Sequence, residues 1–222
     1  LPVVYFFRKN ASLLHFVKPV FDRRVFLKTC TNGSSELMTN LSMSLVNALY
    51  NLQLMKIAGE NGVAAYGAVM YVNFIFVATF LGYAIGCAPV ISYHYGAGNH
   101  AELKNLYKKS MSIILVWGVI LFGAAQLLAP VLSKIFVGYN TGLYAMTLHG
   151  FRVYAIAFLI IGINIFGSSF FTALNNGLIS AVISFLRTLM FQVIMVLTLP
   201  LWFGINGIWS AISVAEALTL IM

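Results

Sequence analysis

The sequence predicts an all-α membrane protein, a bundle of six transmembrane helices with the last one cut short, and three observations carry that reading. Hydrophobic residues make up 61% of the 222 and charged residues only 8%, whereas a soluble domain carries about 25% charged residues. The apolar residues fall into runs of roughly 20, the length that crosses a bilayer as a helix. The basic residues gather between those runs rather than on one face. A soluble fold could not hide so much apolar surface, so the solvent is lipid. Each span must be helical, because lipid offers no partner to backbone N–H and C=O groups and the runs are too long for barrel strands.

The elements follow in order. The chain opens on Leu1-Pro2-Val3-Val4-Tyr5-Phe6-Phe7 without an initiator Met, which reads as the tail of an earlier membrane helix. Val17 to Lys28 then mixes Phe, Val and Leu with Lys18, Arg23, Arg24 and Lys28, a pattern that suits an amphipathic segment on the membrane surface. Residues 1–30 are thus expected to be a helix end plus a cytoplasmic linker, and 31–222 the six-helix bundle. Apolar windows fall at about 34–56, 63–88, 110–133, 146–172, 178–201 and 205–222. Clusters of Gly and Asn separate them at 58–62, 96–99, 137–142 and 175–177, and each favours a turn. The second span is expected to end at Pro89, since proline lacks a donor, with a Gly-rich turn and a basic helical start beyond it. The chain stops at Met222 inside an apolar run, so an internal piece of a longer protein is expected. The start shows no basic, apolar and small-residue pattern of a signal peptide.

Charge fixes an orientation. With the region before the first span inside, ten basic residues fall on the cytoplasmic side, among them Arg23, Arg24, Lys104, Lys108, Lys109 and Arg187. Lys56, Lys134 and Arg152 are the three outside. Ten against three, or nine if Arg187 is counted as intramembrane, is a positive-inside bias. It also accounts for the net charge of +8 without a nucleic-acid partner. The two cysteines, Cys30 and Cys87, have no CxxC or His-spaced partner, so neither a disulfide framework nor a metal site is expected.

Few residues could carry chemistry. In the first span Glu36, Asn40, Ser44, Asn47 and Asn51 recur every three or four positions and share an arc of about 80°. An intramembrane carboxylate normally faces a bundle interior or a watery cavity, so the stripe suits a cavity wall that binds protons or cations. Asparagines also serve as glue between membrane helices, and both readings stand for these three. Glu36 lies within two turns of the cytoplasmic end, where a snorkelling carboxylate is the alternative to a functional one. Glu216 is the second acid in a span, either a transport residue or a partner for a neighbouring helix, and Arg187 is its natural counter-charge. Asn164, Ser168 and Asn175 share a face of the fourth span and read as packing more readily than as ligands. Tyr50, Tyr66, Tyr71, Tyr83, Trp117, Trp202 and Trp209 are expected mostly toward span ends, where amphipathic rings prefer the interface. Met38, Met43, Met55 and Met70 suit either an adaptable cavity or lipid-facing core. An enzyme is not expected: there is no GxSxG, HExxH or Gly-x-Gly-Asp, and Asp22 is the only aspartate.

Several blocks together resemble one family. Pro89 through Gly96-Ala97-Gly98-Asn99, Gly33-Ser34-Ser35-Glu36 leading into Leu41-Ser42-Met43-Ser44, Ala58-Gly59-Glu60-Asn61-Gly62, Arg187, and Phe203-Gly204-Ile205-Asn206-Gly207 are similar to the second half of multidrug and toxic compound extrusion (MATE) transporters, in the MepA-like bacterial branch. The resemblance implies helices seven to twelve of a twelve-helix fold, two six-helix bundles around a central cavity, and a bacterial cytoplasmic membrane. It implies antiport, inward H⁺ or Na⁺ driving out organic cations, with no cofactor beyond the coupling ion. Its implied partners are small cationic substrates, the lipid bilayer and the N-terminal bundle of the same protein. Some branches place cation-binding carboxylates in helices seven and ten; those positions fall here on Asn40 and near Asn164. The candidate substrate- or ion-binding residues are therefore Glu36, Asn40, Asn47, Asn51, Asn164 and Glu216. A lipid-linked sugar flippase of the same superfamily and a non-transporting fragment are the alternative readings.

Overall fold

The computed structural model describes residues 21–221, apart from the side chains at 32, 35 and 36. The expected helix tail at Leu1–Phe7, the start of the amphipathic segment and Met222 lie outside the described residues, as does the side chain of Glu36. The chain divides into two units, Leu1–Cys30 and Thr31–Met222. In the first, Asp22 caps a helix start: its Oδ1 accepts from the backbone N–H of Arg24 at 2.8 Å and of Val25 at 3.3 Å. That satisfies donors which the first helical turn leaves without partners.

The second unit holds the spans. Helical backbone covers Arg23–Gly96 and breaks at Gly59, where φ 63 and ψ −154 lie in a region that only glycine enters freely. The break separates α1 (23–58) from α2 (60–96). There follow α3 (His100–Val137), α4 (Thr141–Ala173), α5 (Gly177–Phe203) and α6 (Ile205–Ile221). Six helices are thus described, five of them long enough to cross a bilayer and α6 a little shorter.

The turns form where Gly and Asn cluster, and each has a mechanism. Asn99, Asn140 and Asn176 are N-caps whose side-chain oxygens accept from the N–H groups of Glu102, Leu143 and Ile179. Asn175 takes a positive φ of 59 just before the last of these caps. Gly204, at φ 55, makes the tight reversal from α5 into α6. The caps lie beyond the apolar windows, so the helices run further than the windows predict: α3 begins at His100 and carries Lys104, Lys108 and Lys109 on its first turns. Polar caps, rather than the end of hydrophobicity, set where these helices begin.

Two expectations are corrected. Helix α2 does not end at Pro89 but continues to Gly96 with the proline inside it. A proline removes one ladder bond, which a long helix packed on its neighbours tolerates. Three of the aromatics expected at the interface are instead buried in the core: Tyr50 (2% exposed), Tyr66 (5%) and Trp209 (1%). Tyr71 (68%) and Trp202 (83%) are exposed. The buried three pack on one another, and that tertiary contact outweighs the interfacial preference.

Helix α4 is the centre of the bundle. Its apolar window is 56% buried against 17–22% for the other long helices, and it packs against α3, α5 and α6. Small residues let the backbones close up: a Cβ at Gly118 of α3 would stand 3.0 Å from the Phe158 carbonyl oxygen of α4. Polar side chains tie the rest. Tyr83 donates to Ser110 at 3.0 Å and Trp117 Nε1 to Thr79 at 2.9 Å, joining α2 to α3. Ser92 donates to the Ala173 carbonyl at 2.9 Å, joining α2 to α4. Large apolar side chains such as Leu127, Ile135 and Leu201 stay exposed, as a lipid-solvated surface requires.

Candidate functional site

Helices α1, α2, α4, α5 and α6 enclose a cavity of about 210 Å³ in the second unit. Its walls are largely aromatic and aliphatic: Tyr50, Tyr66, Phe74 and Tyr154 with Met43, Met70, Ile161 and Ile165. Two charged residues, Arg187 and Glu216, line the same space.

The two charges form an ion pair. Arg187 Nε lies 3.0 Å from Glu216 Oε1, with the glutamate side chain 1% exposed and the arginine 13%. Asn164 completes the arrangement, donating from Nδ2 to Glu216 Oε2 at 2.7 Å and to the Glu216 backbone carbonyl at 2.9 Å. Both carboxylate oxygens are therefore engaged, which is the condition for holding a charge at such burial. Helix α5 winds as a π-helix over Leu186–Phe191. That turn carries Arg187 and Thr188 on the cavity wall. A π-turn shifts side chains round the helix relative to a regular α-helical register.

Beside the charges stands an aromatic wall. Tyr50 and Tyr66 stack with ring centroids 5.0 Å apart and planes 8° apart. The Tyr66 hydroxyl donates to Asn47 Oδ1 at 2.9 Å, tying α2 to α1. Trp209 of α6 approaches Tyr66 with centroids 6.5 Å apart. A hydroxyl cluster joins α4 to α5 below the cavity wall: Ser168 lies 3.0 Å from Ser180 and 2.9 Å from Ser184, and Thr172 lies 2.6 Å from Ser180. Ser168 and Ser184 also reach the cavity.

The candidate residues from the sequence divide clearly. Glu216 and Asn47 stand on the cavity wall. Asn164 is 6% exposed and acts through Glu216 rather than on the wall itself. Asn40 and Asn51 are exposed and lie off the wall. On α1 the wall is made by Thr39, Met43, Val46 and Tyr50, each one position before a member of the polar stripe, together with Asn47. One residue is about 100° of helix rotation, so the stripe and the cavity face overlap only at Asn47. Of the four methionines, Met43 and Met70 reach the cavity. Asn175 sits in the α4–α5 turn, away from Asn164 and Ser168 in role. Sequence reasoning missed Tyr50, Tyr66, Tyr154, Asn73 and Gln192 as wall residues. Only Asn73 and Gln192 carry a signal that could have found them, a lone amide within an apolar run.

Comparison with known proteins fits this geometry. The MatE family model matches residues 37–198. No curated protein matches the chain. A solved structure of MATE in complex with MaL6 superposes with a TM-score of 0.90 at 20% identity, covering 99% of this chain and 50% of that one. An outward-facing multidrug resistance MATE family transporter of the MOP superfamily gives 0.88 at 21% identity, with 99% and 50% covered. A MOP superfamily transporter from Pyrococcus furiosus, whose reversed pocket polarity is described as suggesting a different function, gives 0.87 at 20% identity with the same coverage. The chain thus spans about half the length of the solved structures it matches. With six helices in that arrangement and a family match over most of its length, this multi-pass membrane chain belongs to the MatE family.

Proposed function

We propose that the chain is one six-helix half of a membrane antiporter in which inward H⁺ or Na⁺ flow drives out organic cations. The observation that carries this reading is a buried carboxylate, Glu216, set among aromatic and aliphatic walls in a cavity between helices. A cation leaving water needs a compensating charge, and an apolar body needs apolar walls; the cavity supplies both. The matched structures, twice as long, support a second bundle against which this one would rock. A bacterial cytoplasmic membrane is the proposed location.

The mechanism follows from the ion pair. Arg187 neutralises Glu216 when the cavity is empty of cargo, so the acid is not left as an unpaired buried charge. An arriving cation competes with the guanidinium for the carboxylate, while Asn164 holds the second carboxylate oxygen in place. Glu36, lower on α1, is the proposed acid that takes up the coupling proton or ion. Dye efflux from a pump-deficient bacterial host expressing the full-length protein tests the reading. Lower ethidium accumulation that vanishes when the ion gradient is collapsed is the expected result; unchanged accumulation sinks it.

One observation favours a second reading. Arg187 lines the same cavity as Glu216, so an anionic cargo such as a lipid-linked sugar could use the guanidinium instead. Transfer of a fluorescent anionic lipid across proteoliposomes, with no effect on ethidium, would select this flippase function.

A further inference from the structure

Two polar atoms on residues of the cavity wall have no hydrogen-bond partner among the described residues: the Tyr50 hydroxyl and the Asn73 amide oxygen. They stand on adjacent spans, α1 and α2, and Tyr50 is 2% exposed. Its stacked neighbour Tyr66 is different, because that hydroxyl is spent on Asn47 at 2.9 Å. Tyr50 stacks on Tyr66 at 5.0 Å and 8°, and a phenylalanine would stack as well. Its hydroxyl is therefore not needed for that stack. A buried hydroxyl and a buried amide oxygen left unpaired each lower stability, so a native structure that keeps both calls for a reason.

The surroundings supply one. Both groups belong to the cavity that holds Glu216, whose walls are largely aromatic and aliphatic with a minority of polar side chains. A few placed polar groups in an apolar pocket are what orient a ligand and discriminate among ligands of similar shape. We propose that Tyr50 and Asn73 form a hydrogen-bonding subsite that selects organic cations carrying an N–H or O–H group. Asn73 accepts the cargo's hydrogen through its amide oxygen, and the Tyr50 hydroxyl accepts a second hydrogen or donates to a lone pair on the cargo. Glu216 would attract any cation by charge; the pair adds a preference that charge cannot give. This inference rests on the cation-export reading and specifies its cargo.

The test compares two probe cations in the full-length protein. Ethidium carries two primary arylamine NH2 groups, whereas tetraphenylphosphonium is a comparable apolar cation with no hydrogen-bonding group. Tyr50→Phe keeps the ring and removes the hydroxyl; Asn73→Leu keeps the volume and removes the amide. Each should raise the KM for ethidium export about tenfold, the worth of one good hydrogen bond in a dry site. The KM for tetraphenylphosphonium should stay within about twofold, and maximal rate and membrane abundance should hold. Equal changes for both probes, or none for either, overturn the subsite while leaving export intact. Poor accumulation of Tyr50→Phe would also overturn it, since the hydroxyl would then have a structural partner. Wild-type protein that moves neither probe overturns the export reading and the subsite with it.

Discussion

Arg187 reaches Glu216 across the α5–α6 contact at 3.0 Å, from inside the π-helical turn that interrupts α5. The two partners are not equally placed: the carboxylate is 1% exposed and the guanidinium 13%. Both side chains line the cavity, and the arginine is the more accessible of the two. Glu216 is therefore the member that depends on the pair, and Arg187 is the one that can be displaced.

That asymmetry sets the first prediction. Arg187→Met leaves a buried carboxylate unpaired and should destabilise by about 3–5 kcal/mol, lowering membrane abundance sharply. Glu216→Gln should cost less, because the amide can still take the Asn164 hydrogen bond and the arginine keeps partial access to the cavity. The double variant Arg187→Met/Glu216→Leu exchanges the pair for apolar side chains and should regain abundance near wild type while exporting no cation. Quantitative immunoblotting beside dye efflux reads both. A double variant as poorly accumulated as Arg187→Met would refute the account of the pair.

The sequence reached this pair because only two charges of opposite sign, Arg187 and Glu216, fall in adjacent apolar spans. It reached the helices because lipid enforces length and the turns announce themselves through Gly59, Asn99, Asn140, Asn176 and Gly204. What stayed hidden depends on rotation about helix axes. The polar stripe of α1 is periodic, but periodicity gives a face and not its neighbour, and the cavity meets that helix one residue away at Thr39, Met43, Val46 and Tyr50. In a soluble helix the apolar side marks the core; in lipid both sides are apolar and the mark is lost. The burial of Tyr50 and Trp209 was hidden for the same reason, and the π-turn at Leu186–Phe191 leaves no trace in hydropathy.

Gly150 carries the second prediction. A Cβ built on it would run into the indole ring of Trp209, which is fully buried against Tyr66. Neither helix can shift cheaply, since α4 is the most enclosed span. Gly150→Ala should cost about 1–3 kcal/mol by overpacking. Its thermal unfolding in detergent should fall by several degrees, and pairing it with Trp209→Phe should recover part of the loss. A Gly150→Ala protein as stable as wild type would show that α4 and α6 are less closely fitted.

Orientation gives the third. In a background lacking Cys30 and Cys87, single cysteines at Lys108 and Tyr139 place a thiol on exposed residues at opposite ends of α3. The excess of basic residues beside the α2–α3 turn predicts that Lys108 faces the cytoplasm and Tyr139 the outside. An impermeant maleimide applied to intact cells should label the cysteine at Tyr139 and spare the one at Lys108. The reverse pattern would invert the topology.

The fourth prediction separates the two acids. Glu216 is engaged at both carboxylate oxygens, by Arg187 and by Asn164, and is tied into the cavity wall by both. Glu36 belongs to the same polar stripe as Asn47, the stripe member on the cavity wall, and lies about three turns away toward the N-terminal end of α1. Coupling requires an acid that alternates between a proton or ion and an empty state, and the Glu36→Gln change preserves shape while removing that ability. Ion-driven efflux by Glu36→Gln should therefore fall strongly, with abundance near wild type, whereas downhill exchange of dye across proteoliposomes without an ion gradient should persist. Glu216→Gln should impair both modes together, because it alters the cavity itself. Asn40→Ala, one turn beyond Glu36 on the stripe, should have the milder effect of the two α1 changes. Unimpaired ion-driven efflux by Glu36→Gln at equal expression would return Glu36 to a snorkelling, structural role and place coupling on other residues of the full-length protein.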